Sequence, residues 1–507
     1  MTAISFGLYL GNTSACLAIY KDENVDVVAN HAGDRVTSAV IAFSDSERVI
    51  GTAAKAGLFR NGMKTVLNNK RLMNKEIDAT ELEDAIQTST SKIINESGSL
   101  QYSIKINDKT ETFSPQEIST MLFKAMYDIS TTAAHDDEEH KVVLCVPCKF
   151  SVESIKAWRD SASKAGFKVL QVIGEPVASC LTYGIGKEKK ITELVLVYRI
   201  GGISSDISLI KVSGSTFRIL STQYHPKLGG HKLTDLLVSY LAEEFRHKYK
   251  IDPTESRRSI AKLKNEAEKC KHILSTMSTA HCFVESLCEG VDFSHNITRA
   301  RFENIISPYI SEYIQPIMDI LQETSKTVLD IKKIILCGGT MKIPKLQEKI
   351  GSIFPCGEVL SSRWSPDEIM AVGAALQSAH LLSYGMVDKD LTSTDIELHC
   401  LAKSICVKID DIDPIVIPKD TVVPIKIQTI VEIPKIPDKK ITIDIFEVEN
   451  DDKEISTKIG LISLNCKTAG KWKIDTDLTE MNLNIHITEM ANGKKSSFRF
   501  PIHADIS

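Results

Sequence analysis

The chain has no long apolar run and only a small excess of negative charge. No stretch reaches the roughly 18 consecutive apolar residues that a membrane-spanning helix needs. The N-terminus lacks the basic residues that begin a signal peptide, since the first basic residue is Lys21. A net charge of −5 over 507 residues gives no reason to predict a nucleic-acid-binding or membrane-binding surface. The sequence therefore indicates an ordinary globular protein of several domains.

Few features point to a metal site or a disulfide. The 12 cysteines are scattered and lie mostly in apolar segments such as "VVLCVPC" and "IILCGG". Cys145 and Cys148 form a lone C-x-x-C pair with no second pair or histidine pair nearby, so a zinc site is not predicted. Scattered thiols in apolar segments are typical of free cysteines in a reducing compartment.

The pattern of apolar residues divides the chain into two parts. Up to about residue 385, apolar strands alternate with amphipathic helices such as "LTDLLVSYLAEEF", which predicts an α/β region over 1–385. The polar stretch 386–396 is typical of a linker. Over 397–507, short β-branched runs alternate with period two, which predicts a small all-β domain.

The α/β region contains a faint internal repeat. "LYLGNTSACLAIY" near residue 10 and "VYRIGGISSDISLI" near residue 200 both consist of a strand, a glycine, hydroxyl residues and a second strand. Two such hairpins predict two similar lobes, about 1–187 and 188–385, with a cleft between them. Glycine lets the backbone approach a phosphate, and successive N–H groups form a nest for the anion. A single hairpin of this kind is more often only a turn, so a polyphosphate site and two plain hairpins stay open as alternatives.

Specific motifs then carry a family resemblance. "GLYLGNTSAC", "IGEPVASCLTYGI", "GGISSDIS", "KLGGHKLTD", "ILCGGTMKIPKLQ" and "PDEIMAVGAALQ" resemble, in family order, the nucleotide-binding domain of the seventy-kilodalton heat-shock (DnaK-type) chaperones. The resemblance implies an actin-like, two-lobed α/β ATPase fold that binds ATP or ADP. The β domain is then expected to be the family's small sandwich domain, and no helical lid is expected after it.

The resemblance assigns roles to individual residues. In the family, a lysine lies on the catalytic side of the nucleotide site, and an acid lies next to the water that attacks the phosphate. Lys70 and Glu175 match these two residues. Glu268, Lys271 and Ser275 lie three and four apart on one helix and match the residues that clamp the base and the ribose. The other implied nucleotide-binding residues are Gly11, Asn12, Thr13, Ser14, Gly201, Gly202, Ser204, Asp206, Gly338, Gly339, Lys342 and Asp367.

The metal side of the motif departs from the family. There, an aspartate precedes each hairpin glycine by two residues and helps to hold hydrated Mg²⁺, whereas this chain has Tyr9 and Arg199. No metal ligand is therefore predicted, Mg²⁺ is expected to be dispensable, and the catalytic residues stay unassigned although Lys70, Glu175 and Asp206 match. We expect Arg199 to neutralise the phosphates and to bind the nucleotide by bidentate hydrogen bonds. The alternative is that Arg199 pairs with Asp206 or Glu175 and closes the site.

These departures shape the predicted function. The family's acidic, leucine-rich linker survives only in degraded form in "VDKDLTSTDIELHC", so ATP-driven capture of peptides is not predicted. The combination resembles a short, atypical cytosolic branch of the family. That resemblance implies a J-domain protein as heterodimer partner in a ribosome-associated complex, which helps a second, fully active chaperone to act on nascent chains. Low or absent ATP hydrolysis is expected.

Two other functions stay open at this point. One is an ordinary ATP-hydrolysing chaperone that binds unfolded polypeptides and uses altered metal chemistry. The other is a different actin-fold protein, such as a sugar kinase, against which the β domain after the linker argues.

Overall fold

The computed structural model divides into two compact units, Met1–Ser393 and Thr394–Ser507. It describes residues 4–96, 99–134, 139–186, 192–214, 216–383, 399–401, 403–409, 412–417, 422–423, 425–433, 440–448, 456–465, 470–478, 482–491, 493–502 and 504–506. The predicted linker 386–396 contains the boundary between the units and lies outside the described residues. The first unit is mixed α/β and the second is built from strands, as the sequence predicts.

The first lobe contains a mixed sheet covered by helices. Its elements are β1 (Ser5–Leu10), β2 (Ser14–Lys21), β3 (Asn24–Val27), β4 (Thr37–Ser38), β5 (Ile41–Phe43), β6 (Arg48–Ile50), α1 (Thr52–Ala56), α2 (Leu58–Asn61), β7 (Thr65–Val66), α3 (Ala79–Thr88), β8 (Lys92–Glu96), β9 (Ser99–Ile106), β10 (Lys109–Phe113), α4 (Pro115–Ala133), β11 (Lys141–Val146), α5 (Val152–Lys164), β12 (Lys168–Gly174) and α6 (Glu175–Thr182). The central strands lie in the order β12-β11-β1-β2-β3. Here β1 is antiparallel to β2 and parallel to β11, and both faces of β1 are buried.

The second lobe repeats this arrangement. Its elements are β13 (Thr192–Ile200), β14 (Ser205–Ser213), β15 (Thr216–His225), α7 (Gly230–Tyr249), α8 (Arg257–Thr276), β16 (Thr279–Cys288), β17 (Val291–Thr298), α9 (Arg299–Ile306), α10 (Ile310–Glu323), β18 (Ile331–Cys337), α11 (Pro344–Gly351), β19 (Glu358–Val359) and α12 (Ile369–Ser383). The sheet has the order β15-β14-β13-β18-β19, and β13 is antiparallel to β14 and parallel to β18. The shared pattern around β1 and β13 confirms the predicted internal repeat.

Local sequence signals explain where the helices form. Ser114 caps α4 by accepting a hydrogen bond from the N–H of Glu117, whose carboxylate accepts one back from the N–H of Ser114. Along α7, the apolar residues three and four apart form one buried face against the sheet, as the periodicity predicts.

Helix α12 follows the second lobe in the chain but packs on the first. A Cβ atom on Gly7 of β1 would lie 2.1 Å from the backbone nitrogen of Ala375. A Cβ atom on Gly373 would lie 1.7 Å from the carbonyl oxygen of Ala178 on α6. The helix therefore lies directly on β1 and α6, where only glycine fits. The structure differs here from the predicted second lobe, 188–385, because chain order does not show which sheet a helix covers.

The second unit is a β sandwich. Its strands are β20 (His399–Leu401), β21 (Ser404–Ile409), β22 (Ile412–Ile417), β23 (Val422–Val423), β24 (Ile425–Ile433), β25 (Lys440–Val448), β26 (Ser456–Asn465), β27 (Gly470–Leu478), β28 (Asn482–Glu489), β29 (Lys495–Pro501) and β30 (Ala504–Ile506). Two four-stranded sheets, β22-β21-β25-β26 and β24-β27-β28-β29, share one hydrophobic core that is rich in isoleucine and includes Trp472.

The residues described after Ser383 include no helix. Among all described residues, no helix is long and apolar enough to cross a membrane.

Substitution of Gly373 by alanine is expected to destabilise the first unit by about 2 kcal/mol or more, because the new Cβ would overlap the backbone of α6. The matched control is Gly62→Ala, where the nearest atom to the new Cβ is 4.0 Å away and the expected change is under about 1 kcal/mol. Urea unfolding of the full chain measures both effects. Equal stabilities of the two variants would contradict the close packing of α12.

Candidate nucleotide site

The two glycine hairpins meet across the cleft between the lobes. In the first hairpin, the N–H of Gly11 donates to the carbonyl oxygen of Ser14 at 2.7 Å. In the second, the N–H of Gly201 donates to the carbonyl oxygen of Ser204 at 2.9 Å. A Cβ atom on Gly202 would lie 2.6 Å from the Cγ2 atom of Thr13, so the two turns are in contact. The predicted pair of hairpins therefore comes together at one place.

The tips of the hairpins present free backbone N–H groups. Within the described part of the chain, no hydrogen bond uses the backbone N–H of Asn12, Thr13, Gly202 or Ile203. The side chain of Asn12 points elsewhere, since its Oδ1 accepts a hydrogen bond from the N–H of Arg71 at 2.9 Å. Two pairs of successive free N–H groups form the nest that an anion such as a phosphate needs. The hairpins thus fit a polyphosphate.

Four charged side chains lie behind the hairpins and form what we call the charge cluster: Lys70, Glu175, Arg199 and Asp206. Arg199 on β13 lies opposite Asp206 on β14, and its Nη2 donates a hydrogen bond to the Asp206 carboxylate. The Nε atom of Arg199 lies 3.0 Å from Oε2 of Glu175. The other carboxylate oxygen of Glu175 accepts a hydrogen bond from Nζ of Lys70 at 2.6 Å.

The charge cluster is buried and electrically neutral. Side-chain exposures run from 5% for Lys70 and Glu175 to 16% for Asp206, and two cations face two carboxylates. Burial alone would raise the pKa of Glu175, but the charges of Lys70 and Arg199 outweigh it and lower the pKa. The ion pairs that the sequence offered as the alternative for Arg199 are therefore formed, with both carboxylates. The guanidinium pairs with the two acids through Nε and Nη2, whereas its Nη1 lies beside the second hairpin, 2.7 Å from the position of a Cβ atom on Gly201.

Tyr9 supplies a neutral group at the place of a metal-side aspartate. The residue is 6% exposed, and burial raises the pKa of its phenol, so the hydroxyl stays protonated. Nζ of Lys70 lies 4.8 Å from the centre of the Tyr9 ring. Within the described residues, no group of three or more His, Cys, Asp or Glu side chains could hold a metal ion.

The residues predicted for the base and ribose lie on α8, but two of them already have partners. Nζ of Lys271 is buried and donates to the carbonyl oxygen of Gly230 at 3.0 Å and to Thr234 Oγ1 at 2.6 Å. The hydroxyl of Ser275 donates to the carbonyl oxygen of Lys271 at 3.0 Å. Lys271 therefore joins α8 to the start of α7.

Glu268 also has a partner, and this one comes from the first lobe. Its Oε1 lies 3.1 Å from Nζ of Lys55 on α1. Burial alone would raise the pKa of Glu268, but the charges of Lys271 and Lys55 lower it to about 2. The Lys55 contact was not predicted, since no local motif connects residues 213 positions apart.

The loop after β18 completes the predicted set. Gly338 has a φ of +90°, and a Cβ atom there would lie 2.4 Å from the carbonyl oxygen of Ile200. Beside Gly339, Nζ of Lys342 lies 2.7 Å from Oδ2 of Asp367. The Oδ1 atom of Asp367 is buried and has no hydrogen-bond partner in the described part of the chain. An unpaired acceptor of this kind suits a ligand hydroxyl, so this side of the site also fits a nucleotide.

The chain is similar to known proteins over most of its length. The family model described as "Hsp70 protein" matches residues 5–493. A protein of Rattus norvegicus named heat shock 70 kDa protein 14 is 40% identical over 407 residues, which cover 80% of this chain and 79% of that protein. Its namesake from Xenopus tropicalis is 35% identical over 501 residues, 97% of this chain and 98% of that protein. The similarity therefore extends through both units.

Replacement of Arg199 by methionine is expected to cost about 3 kcal/mol of unfolding free energy, because two buried carboxylates would lose their shared cation. The control is Lys168→Met, which breaks an exposed pair with Glu139 and is expected to cost under about 1 kcal/mol. Urea unfolding without nucleotide gives both values. Similar losses in the two variants would show that the charge cluster does not depend on Arg199.

The unfolding free energy is expected to fall at acid pH partly through Glu268. Its folded-state pKa of about 2 lies below the ordinary 4.5, so its stabilising contribution is complete above about 4.5 and is lost as the pH falls towards 2. Glu268→Gln should therefore lose less stability than wild type between pH 6 and pH 3 (about the span over which the group titrates). Glu111→Gln, at an exposed position on β10, serves as control and should follow wild type. A wild-type slope in Glu268→Gln would contradict the assignment.

Proposed function

The chain belongs to the Hsp70 family, and from that premise we propose that it is a chaperone or co-chaperone that holds ATP or ADP and hydrolyses ATP slowly or not at all. The observation that carries the proposal is the neutral charge cluster. Lys70 and Glu175 keep the family's catalytic-side pair at 2.6 Å, whereas Tyr9 and Arg199 replace the two metal-side acids.

Arg199 supports binding by cancelling repulsion. Two carboxylates close to the hairpins would repel a triphosphate. The guanidinium of Arg199, a side chain of the protein itself, lies between Glu175 and Asp206 and neutralises them. The phosphates are then held by the free N–H groups of the hairpin tips. The sequence alone suggests a bidentate contact from Arg199 to phosphate. In the structure Nε and Nη2 face the two acids, and Nη1 lies beside Gly201 of the second hairpin.

Hydrolysis of ATP needs more than binding of the phosphates, and these residues do not provide it. Phosphoryl transfer depends on a metal that bridges the β- and γ-phosphate oxygens and on an oriented attacking water. In the family, Mg²⁺ supplies that bridge when bound. Here a neutral phenol and a guanidinium stand at the two positions, and the nearest carboxylates already have cationic partners. We therefore expect binding that needs little Mg²⁺.

The proposed setting is a cytosolic, ribosome-associated complex. The resemblance to the short cytosolic branch, and similarity to heat shock 70 kDa protein 14 over 97% of this chain, support a J-domain protein as heterodimer partner. In that complex the chain would assist a second, fully active chaperone of the family on nascent polypeptides. Co-purification of the full chain with a J-domain protein at a one-to-one ratio tests the partnership.

A single-turnover experiment with labelled ATP tests the nucleotide half of the proposal. Wild-type protein, in Mg²⁺ or in EDTA, is expected to retain ATP uncut to a similar extent. The control is Gly202→Val, whose side chain would overlap Thr13 at the hairpin contact and should abolish retention. Metal-dependent cleavage would instead favour an ordinary ATP-hydrolysing chaperone, and no retention in either buffer would overturn nucleotide binding.

A further inference from the structure

Helix α3 of the first lobe reaches the second lobe through one buried carboxylate. Glu81 is 4% exposed, and its Oε1 accepts a hydrogen bond of 2.6 Å from the hydroxyl of Tyr224 on β15. Its Oε2 accepts a hydrogen bond of 3.2 Å from Nζ of Lys149, which follows β11 in the first lobe. Each carboxylate oxygen thus binds a different lobe, and Glu81 connects the two.

A second acid on α3 makes a weaker connection. One turn after Glu81, Asp84 pairs with Arg71 of the first lobe at 3.2 Å and with Lys227 of the second lobe at 3.0 Å. The side chain of Lys227 is 67% exposed, and exposed ion pairs contribute little to stability. A buried hydrogen bond to a charged group contributes more. Glu81 is therefore the main contact between α3 and the second lobe.

This contact borders the charge cluster. Lys149 and Tyr224 line a cavity of about 20 Å³ together with Glu175, Arg199 and Asp206. Such a cavity has room for about one water molecule. Glu81 binds both Lys149 and Tyr224, so separation of α3 from β15 would remove the partner of Tyr224, one side chain of this wall. The position of α3 is thus linked to a wall of the cavity beside the cluster.

We propose that the contact between Glu81 and Tyr224 is a latch, which holds the lobes together at the phosphate end of the cleft and slows the release of nucleotide. The inference rests on the proposed nucleotide binding. Tyr224 lines the wall behind the charge cluster and Glu81 holds Tyr224 and Lys149 in place, so Glu81 and Tyr224 act as positioning residues. Because the latch is made of protein groups alone, it retains nucleotide without help from a metal.

The test compares Glu81→Ala, Tyr224→Phe and the double variant in the full chain. Glu83→Ala is the matched control, since Glu83 lies on the same helix, is not buried and accepts a hydrogen bond from Gln87 of that helix at 3.0 Å. Amide hydrogen exchange of 79–88 and 216–225 is measured without nucleotide. The dissociation rate of a fluorescently labelled ATP is measured separately.

Each single variant is expected to exchange faster at α3. Tyr224→Phe should release the labelled ATP about tenfold faster, as for loss of one buried hydrogen bond to a charged group, and Glu81→Ala at least as fast, since it also removes the bond from Lys149. Tyr224→Phe adds no further acceleration to Glu81→Ala, because both remove the same bond. Glu83→Ala behaves as wild type. The latch is overturned if Glu81→Ala and Tyr224→Phe show the same amide exchange rates as Glu83→Ala. It is also overturned if the effects of the two substitutions on the ATP dissociation rate are fully additive in the double variant. If wild type retains no labelled ATP, the proposed function fails, while the exchange data still decide whether α3 is latched.

Discussion

The burial of Arg199 between Glu175 and Asp206 is the interaction on which the rest of the site depends. Two carboxylates at this depth would be costly without a cation close to each, and Lys70 alone reaches only Glu175. Arg199 reaches both, because it faces Asp206 across a hairpin and Glu175 across the cleft. For Glu175, the charges of Lys70 and Arg199 outweigh the effect of burial and lower the pKa, so its carboxylate stays ionised. Among the residues that the structure describes, the backbone N–H groups of the hairpin tips are free to donate hydrogen bonds at the site.

The geometry that permits this cluster follows from the repeat. Strands β1 and β13 occupy equivalent places in their sheets, and each leads into a glycine turn closed by the same hydrogen bond. The side chains two residues before those glycines, Tyr9 and Arg199, therefore arrive at one place from opposite lobes. One is a neutral phenol and the other a cation. A site of this kind favours retention of an anion over the positioning of a metal for phosphoryl transfer.

Two contacts between side chains of the two lobes lie near the ends of the predicted nucleotide site. Lys55 meets Glu268 near the predicted base and ribose residues, and Glu81 meets Tyr224 near the phosphate hairpins. Both connect residues far apart in the chain, and neither belongs to a motif. Sequence patterns gave no sign of them, since an acid on an amphipathic helix is most often a solvated one. Helix α12 is a similar case, because its packing on β1 depends on glycines whose neighbours are visible only in three dimensions.

The sequence by itself determined the alternation of strands and helices, the all-β character of 397–507 and the paired hairpins. Those features depend on residue type and short-range spacing, which the chain carries directly. The sandwich, and the two aspartates that Tyr9 and Arg199 replace, were implied by the resemblance to the family. Only the tertiary structure decided what Arg199 does. A guanidinium in a strand can reach a ligand or a carboxylate equally well, and the choice depends on which acids the fold brings within about 3 Å. In this fold both acids are within reach, so the cation is held by the protein itself.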